Sequence, residues 1–270
     1  MSRHDWAKHD WAKHDWALIL GASSGFGEAT AIELAAAGMN IVGVHLDRRE
    51  TLGHVHEVRE RIRAERREAV FFNGSAADET KRAAVLARVA ERLNSHGEKV
   101  RVLVHSLAFG ALKPLTGEGA LTQKQIEMTC DVMGHSLIYW ARDLVSAGLM
   151  GEGGRIFAMT SEGSNRVLPN YGAVAAAKVI LGSHIRQLAV ELAPLGITAN
   201  AILAGVTDTP ALRKIPGSER LLEAAAARNP HNRLTTAPDV ARCIRVLSLP
   251  ETAWMTGNTI RVDGGEGIVG

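Results

Sequence analysis

The chain has 270 residues, of which 46% are hydrophobic, and a formal charge of +2 from 31 basic and 29 acidic side chains. This length fits one large α/β domain, and the balanced charge provides no field to attract nucleic acid or a membrane surface. Two cysteines are too few for a disulfide framework, and we find no 18-residue apolar run to cross a bilayer. We expect a cytoplasmic protein that acts on a small molecule.

The chain begins with a repeat in which HDWAK recurs every five residues from His4 onward. No apolar stretch ahead of a small-residue cleavage site marks a signal peptide. Three His-Asp pairs could attract a metal ion, but a five-residue period turns around a helix and does not stack ligands on one face. We expect residues 1–16 to be a disordered extension or tag without a metal site, and residues 17–270 to form the catalytic domain.

Apolar runs of strand length alternate with longer helical patterns through the rest of the chain. Strands are expected at residues 17–20, 40–45, 69–72, 100–105, 155–160, 198–202 and 259–262. Helices such as 28–37, 50–67 and 80–93 lie between them, and Gly and Pro mark the breaks. This alternation predicts a single Rossmann-like, doubly wound α/β domain with a seven-stranded parallel sheet.

A glycine-rich loop, GASSGFG, connects the first strand to the first helix and carries Gly21, Gly25 and Gly27. Glycines permit a tight turn and allow backbone N–H groups to approach a pyrophosphate at the helix N-terminus. Because the pattern stands between a predicted strand and a predicted helix, it indicates a dinucleotide site.

The end of the second strand, GVHLDRR, carries conflicting signals about the cofactor. Asp47 could accept a hydrogen bond from the ribose 2′-hydroxyl of NAD, whereas Arg48 and Arg49 could bind the 2′-phosphate of NADP. Guanidinium groups bind phosphate through two parallel hydrogen bonds. The sequence therefore favours NADPH, with NADH as the alternative.

Residues 171–178 read YGAVAAAK and place Tyr171 seven positions before Lys178. Helix positions seven apart differ by about 20° around the axis, so the two side chains share a face. Val174, four positions before Lys178, cannot donate a hydrogen bond. If the helix includes residue 171, the longer spacing places the phenol about 4.5 Å closer to the helix start than a tyrosine at 174 would be.

On these motifs the chain resembles the short-chain dehydrogenase/reductase superfamily over residues 17–268, and within it the enoyl-acyl-carrier-protein reductases. The narrower resemblance depends on the Tyr-six-residues-Lys spacing, on VHSLAFG in place of an Asn-Ala-Gly type sequence, and on Asp131 in place of a relay asparagine. Most members of the superfamily have three residues between Tyr and Lys. Ser161 matches the superfamily's catalytic serine, where many enoyl reductases carry a second tyrosine.

The resemblance implies roles for the matching residues. Tyr171 would stabilise an enolate oxygen, Lys178 would hold the nicotinamide ribose and lower the phenol pKa, and Ser161 would assist the oxygen or line the acyl pocket. Gly110, Ser161 and Tyr171 would contact the substrate. The cofactor would contact Gly21, Ser24, Phe26, Gly27, Arg48, Ser75, Ala76, Leu107, Ala108, Lys178, Thr207 and Thr209.

The displaced tyrosine suits a particular substrate. Hydride adds to the β-carbon of an enoyl thioester, while negative charge develops on the thioester oxygen several bonds away, so the donor must stand further from the nicotinamide than in a ketone reductase. We expect NADPH-dependent reduction of trans-2-enoyl thioesters, carried by acyl carrier protein or CoA, in fatty acid synthesis.

Two other functions stay open at this point. A 3-oxoacyl or hydroxysteroid dehydrogenase/reductase is opposed by Val174, and a non-catalytic NAD(P)-binding sensor is opposed by the intact Tyr171 and Lys178.

Three further expectations concern the remaining sequence. The segment at about 210–230 is long enough for a helical flap over the acyl chain. The helix after Tyr171 is apolar nearly all round, which favours a homotetramer or homodimer. His105 and His135 have no legible catalytic partner and are expected to have packing or surface roles.

Overall fold

A computed structural model of the chain describes residues 15–269. Seven parallel strands form one sheet in the order β3-β2-β1-β4-β5-β6-β7. The strands are β1 (Trp16–Leu20), β2 (Asn40–His45), β3 (Ala69–Asn73), β4 (Val100–His105), β5 (Arg155–Thr160), β6 (Thr198–Ala204) and β7 (Thr259–Val262). The predicted fold class is confirmed. The disordered extension expected at residues 1–16 is too long, because Trp16 is fully buried as the first residue of β1 and its indole N–H donates to Glu98 at 2.7 Å. Residues 1–14 of that extension lie outside the described residues.

Eight α-helices occur in the described part of the chain. They are α1 (Gly25–Ala36), α2 (Leu52–Ala64), α3 (Glu79–Asn94), α4 (Gln123–Cys130), α5 (Ser136–Ser146), α6 (Gly172–Glu191), α7 (Ser218–Arg228) and α8 (Ala237–Leu247). The predicted helix 50–67 is shorter than expected, because a 3₁₀ turn precedes it and Arg66 adopts a left-handed φ of 59° just after it.

The sheet lies between two layers of helices. Helices α3, α5 and α6 pack on one face, and helices α1, α2 and α8 pack on the other. All five residues of β1 are buried, because both faces of the strand are covered, and the strand therefore reads as a continuous apolar run.

Helix α6 buries one side and exposes the other. Its buried residues include Ala177, Leu181 and Ile185, whereas Val179 is 54% exposed and Val190 is 73% exposed. By length and composition alone α6 is long and apolar enough to cross a membrane, which the sequence analysis did not predict. In the structure its apolar side packs against the core formed with the sheet.

The strand order reverses at β1, which lies between β2 and β4. In open parallel sheets, ligands bind outside the carboxyl ends of the strands at such a switch point. A cavity of about 380 Å³ lies there and is lined by residues that follow β1, β4, β5 and β6.

Candidate active site

The glycine-rich loop after β1 is closely packed against its surroundings. Gly21 has φ +88°, and a Cβ at this position would lie 2.2 Å from the carbonyl oxygen of Ser106. A Cβ at Gly27 would lie 2.0 Å from the carbonyl oxygen of Gly21. These approaches exclude any larger residue at the two positions. Ser24, Gly25 and Phe26 at the N-terminus of α1 line the cavity, where the helix end could bind a pyrophosphate.

The structure brings most of the predicted cofactor residues to one cavity and leaves others around it. The predicted residues that line the cavity are Ser24, Phe26, Leu107, Ala108, Lys178, Thr207 and Thr209. Gly21 and Gly27 lie in the loop beneath it. Arg48, Ser75 and Ala76 follow the ends of β2 and β3 and are outside the lining.

Asp47 lies just beyond β2, beside the glycine-rich loop. Its carboxylate is 2.9 Å from His45 Nδ1, and its backbone N–H donates to Asn73 Oδ1 at 3.1 Å. Burial raises the pKa of Asp47, but hydrogen bonds from Ser23, Thr51 and His45 lower it more, so the net pKa is below its ordinary value. Asp47 therefore places a negative charge where a ribose 2′-hydroxyl would bind.

Tyr171 stands at the N-cap of α6 and not inside the helix. Its φ and ψ are −101° and 2°, and its carbonyl oxygen accepts the N–H of Ala175 at 2.8 Å. Asn170, the preceding residue, has a left-handed φ of 61°, so the helix cannot extend further towards the N-terminus. The condition for the 4.5 Å helical displacement is therefore not met, since the phenol is placed by the turn that enters the helix.

The phenol of Tyr171 is buried in a small apolar cluster. The side chain is 9% exposed and packs with Met133, Val174 and Ala177. Its hydroxyl lies 3.4 Å from Ser161 Oγ. Burial raises the pKa of Tyr171, and the Ser161 contact lowers it by less. Lys178, predicted to lower the phenol pKa, is not among the groups that shift it here, and the raised pKa leaves Tyr171 a neutral hydrogen-bond donor at neutral pH.

Lys178 joins the ends of β4 and β5 from its place in α6. Its side chain is buried, and Nζ donates to the carbonyl oxygens of Met159 at 2.7 Å and Leu107 at 3.3 Å. Burial lowers the pKa of Lys178 from 10.5 to about 8. An ammonium group has three N–H donors. One of them is not used by these two carbonyls, and Lys178 lines the cavity, where ribose hydroxyls could accept it.

Val174 is packed tightly against the segment that follows β4. It is buried, and a Cβ at Gly110 would lie 2.8 Å from Val174 Cγ2, Met133 Sδ and Thr129 Cγ2. Gly110 lines the cavity, as do Ser161 and Tyr171, so the structure brings the three predicted substrate residues together. The position at which a ketone reductase would carry its tyrosine is therefore occupied by Val174, whose apolar side chain packs against Gly110.

Asp131 does not lie among the residues that line the cavity. Residues Asp131–His135 form a π-helical turn between α4 and α5, and Asp131 Oδ1 accepts a hydrogen bond from the Tyr139 hydroxyl at 2.7 Å. The wider turn changes the direction of the side chains, so Met133 lines the cavity instead. Asp131 therefore contacts Tyr139 and not the cavity, and its correspondence to a relay asparagine stays a prediction.

The two histidines considered in the sequence have packing contacts. His105 is fully buried with Nε2 2.9 Å from Ser136 Oγ, and burial lowers its pKa to about 3. His135 Nδ1 lies 3.1 Å from His184 Nε2 on α6. Within residues 15–269, no group of three or more His, Cys, Asp or Glu side chains is placed to hold a metal ion.

The flap segment and the C-terminal turn close one side of the cavity. In the flap, Pro210, Leu212, Ile215, Leu221 and Arg228 are among the lining residues. Arg228 Nη2 donates to Glu266 Oε1 at 2.6 Å, and Glu266 Oε2 accepts the Val206 N–H at 2.9 Å. Sequence reasoning missed Glu266, because the glycines around it indicated only a break between secondary-structure elements. A glutamate flanked by glycines, three residues after Asp263, was the available signal.

A family model described as enoyl-(acyl carrier protein) reductase matches residues 21–266. The chain belongs to this family. It is an oxidoreductase of the short-chain dehydrogenase/reductase type, as the sequence resemblance indicated.

Two relatives show the range of similarity. The enzyme is 29% identical over 251 residues to the short-chain dehydrogenase/reductase eriH of Hericium erinaceus, covering 92% of this chain and 96% of that protein. It is 31% identical over 170 residues to the NADH-dependent enoyl-[acyl-carrier-protein] reductase FabI of Aquifex aeolicus, covering 63% of each chain. The match thus spans less than two thirds of the FabI protein's length.

Solved structures share the fold over almost the whole chain. The crystal structure of the Aquifex aeolicus NADH enoyl reductase has a TM-score of 0.84 at 24% identity, covering 96% of this chain and 99% of that chain. A short-chain dehydrogenase from Burkholderia cenocepacia in complex with NADP has a TM-score of 0.80 at 28% identity, covering 94% and 98%. Relatives of this enzyme are therefore named with either nicotinamide cofactor.

Proposed function

We propose that this enzyme reduces the carbon–carbon double bond of a trans-2-enoyl thioester at the expense of NAD(P)H. The observation that carries the proposal is the pairing of Tyr171 with Val174. Tyr171 lines the cavity and can donate a hydrogen bond, while Val174, four residues before Lys178, offers only a buried apolar surface. A ketone reductase needs a donor beside the carbon that takes the hydride, whereas an enoyl thioester needs one further away.

The residues fit a nicotinamide dinucleotide. A Cβ at Gly21 or Gly27 would clash with backbone carbonyl oxygens, so the tight turn that leads into α1 requires glycine, and Ser24 at the start of that helix lines the cavity. Lys178 has an N–H for the ribose hydroxyls. When bound, the cofactor supplies the hydride that adds to the β-carbon. The protein's own contribution is to orient the two reactants and to stabilise the charge that develops on the thioester oxygen. Uptake of a proton from solvent at the α-carbon then completes the reduction.

Each polar side chain has a separate task in this mechanism. Tyr171 donates its hydroxyl hydrogen to the thioester oxygen as that oxygen becomes negative. Ser161, 3.4 Å from the phenol oxygen, offers a second hydroxyl on the same side. The buried ammonium of Lys178 adds positive charge in a region of low dielectric constant, where it stabilises a developing anion more than it would in water.

The acyl chain requires an apolar surface, and the cavity has one. Its apolar side chains include Leu112, Met133, Leu168, Val174 and Ile215. We propose a substrate carried by acyl carrier protein or CoA and a role in fatty acid synthesis. Support comes from this apolar wall and from the similarity to enoyl-[acyl-carrier-protein] reductases.

The preference between NADH and NADPH depends on the residues after β2. Arg48 and Arg49 predict NADPH, and that prediction stays untested. We infer that Asp47 outweighs them and that NADH is preferred, because a 2′-phosphate placed beside an ionised carboxylate would be repelled. Asp47→Ala should then raise kcat/KM for NADPH relative to NADH by about tenfold or more, the effect of about 1.4 kcal/mol. An unchanged preference would contradict this inference, and a wild-type preference for NADPH would support the sequence prediction.

Assembly and location are also proposals. The exposed Val179 and Val190 on α6 support a homotetramer or homodimer that covers them, which light scattering after gel filtration would measure. Both cysteines are free in the structure, which suits the reducing cytoplasm.

One assay tests the main proposal. Purified protein is given crotonyl and longer enoyl thioesters on CoA and on acyl carrier protein, a 3-oxoacyl thioester and a steroid ketone, with NADH and NADPH oxidation followed separately. Enoyl turnover is expected. Turnover of carbonyl substrates alone would refute it, and cofactor binding without any turnover would favour a sensor.

Two matched variants test the role of the phenol. Tyr171→Phe should lower kcat for the enoyl thioester by about 100-fold, because it removes one oxyanion donor. Tyr139→Phe makes the same change at the chain's other tyrosine, outside the cavity lining, and should leave kcat unchanged. Equal effects of the two changes would remove Tyr171 from the mechanism.

A further inference from the structure

Gly163 lies between the two hydroxyl-bearing side chains of the active site. It is buried in the short 3₁₀ turn Glu162–Ser164 that follows β5. Its backbone N–H donates to Ser161 Oγ at 3.0 Å. A Cβ at this position would lie 2.5 Å from Tyr171 Cε1 and 2.9 Å from Cδ1. The same residue therefore holds Ser161 through its peptide group and admits the ring of Tyr171 through its missing side chain.

The need for glycine at this position is steric and not conformational. Gly163 is not among the described glycines with positive φ, so its backbone conformation is open to any residue. The ring that a Cβ would meet has little room to retreat, because Met133, Val174 and Ala177 pack with Tyr171 in one buried cluster. A methyl group on Gly163 would therefore displace the phenol or the turn itself.

The contacts of Ser161 show what the displacement would change. Ser161 Oγ accepts the Gly163 N–H, which leaves the hydroxyl hydrogen to be donated elsewhere. The distance from Ser161 Oγ to the Tyr171 hydroxyl is 3.4 Å, already beyond the usual O–H···O range. A shift of a few tenths of an ångström at the ring therefore separates the two hydroxyl groups.

The backbone at Tyr171 adds to this sensitivity. The residue is the N-cap of α6 and follows Asn170 with its left-handed φ of 61°, so it lacks a preceding helical turn. Its ring is therefore positioned by the side chains and the turn around it. An added Cβ at Gly163 would have the Tyr171 ring as its nearest neighbour, at 2.5 Å.

We propose that Gly163 is a positioning residue that aligns the hydroxyl groups of Tyr171 and Ser161 on a single substrate oxygen. The proposal rests on the proposed function, in which that oxygen belongs to the thioester. It assigns specificity for a developing oxyanion to a residue that carries no side chain and acts through Tyr171 and Ser161.

The first test compares two glycine-to-alanine changes. Gly163→Ala should lower kcat by about 100-fold, the cost expected for a misplacement of about 1 Å, with the cofactor KM within about twofold of the wild-type value. Gly53→Ala in α2 is the matched control, because a Cβ there meets nothing within 4 Å. A Gly163→Ala enzyme with wild-type kcat would overturn the proposal.

A double-mutant cycle separates positioning from a general structural role. If Gly163 acts through the phenol hydroxyl, Gly163→Ala should slow the Tyr171→Phe enzyme by less than about threefold. A full and additive loss in that background would overturn the proposal. Should Gly163→Ala fail to fold alone, it must fold in a Tyr171→Leu background, where the ring is absent. Misfolding there as well would also overturn it.

A spectroscopic readout works without turnover. The chain has two tyrosines, so Tyr139→Phe leaves Tyr171 as the single phenol in an alkaline absorbance titration. Gly163→Ala should raise the titration midpoint, since the Ser161 contact lowers the pKa of Tyr171 and would be lost. An unchanged midpoint would overturn the alignment. A raised midpoint in a protein without enoyl turnover would support the contact and refute the proposed function alone.

Discussion

Replacing Lys178 with methionine should stabilise the protein while removing its activity. The ammonium group is buried at 6% exposure with two backbone carbonyls as its protein partners, and its pKa is lowered from 10.5 to about 8. Such a shift corresponds to about 3 kcal/mol of unfavourable desolvation at neutral pH. The loss of the hydrogen bonds to the two carbonyls destabilises the variant by about 1 kcal/mol. Lys178→Met should therefore raise the free energy of unfolding by about 2 kcal/mol at pH 7.

The stability difference between Lys178→Met and the wild type should depend on pH. Between pH 8 and 10.5 the unfolded chain binds more protons at Lys178 than the folded chain does, so wild-type stability rises with pH relative to the variant. The advantage of Lys178→Met should shrink as pH increases from 7 to 10. Urea denaturation of both proteins at pH 7, 8, 9 and 10 measures the difference, and kcat for the enoyl thioester measures the loss of function.

A control and an opposing outcome complete this test. Lys99 is an exposed lysine whose Nζ donates to the Gly148 carbonyl oxygen at 2.6 Å. Lys99→Met changes the same groups without burial, so its stability difference should be below about 1 kcal/mol. If Lys178→Met is less stable than the wild type throughout this pH range, or if the difference does not change with pH, the desolvation argument fails.

Three other changes should have measurable effects. Gly110→Ala should lower the free energy of unfolding by about 1–3 kcal/mol in urea denaturation, because its Cβ would lie 2.8 Å from Val174. Glu266→Gln should speed proteolysis within the flap, since the carboxylate holds Arg228 at 2.6 Å; unchanged cleavage would remove this contact as a tether. His105→Asn should flatten the loss of stability below pH 6.5, because the folded pKa of about 3 makes stability fall as the unfolded chain takes up a proton.

Several elements could be predicted from the sequence because their causes are local. The buried strands read as continuous apolar runs, and the turn after β1 needs glycines for its close backbone approaches. The spacing of Tyr171 and Lys178 can be read directly from the sequence. These features led to the fold class and to the enoyl reductase family, both of which are confirmed, and to a dinucleotide site at the loop, which stays a prediction.

Other features could not be predicted because they depend on contacts between distant segments. The direction of Asp131 follows from a π-helical turn and from Tyr139, eight residues later. The low pKa of Lys178 follows from burial beneath strands that lie far away in the sequence. The pair of Arg228 and Glu266 joins residues 38 positions apart, so neither looked functional alone.

YGAVAAAK shows where the two kinds of information meet. The sequence by itself determined that the residue four positions before Lys178 cannot donate a hydrogen bond and that a phenol stands three positions earlier, since composition and spacing are local properties. Only the tertiary structure decided where the phenol is held. Tyr171 caps the helix and rests against Gly163, and its hydroxyl faces Ser161, because packing between β5, its following turn and α6 brings the three residues together.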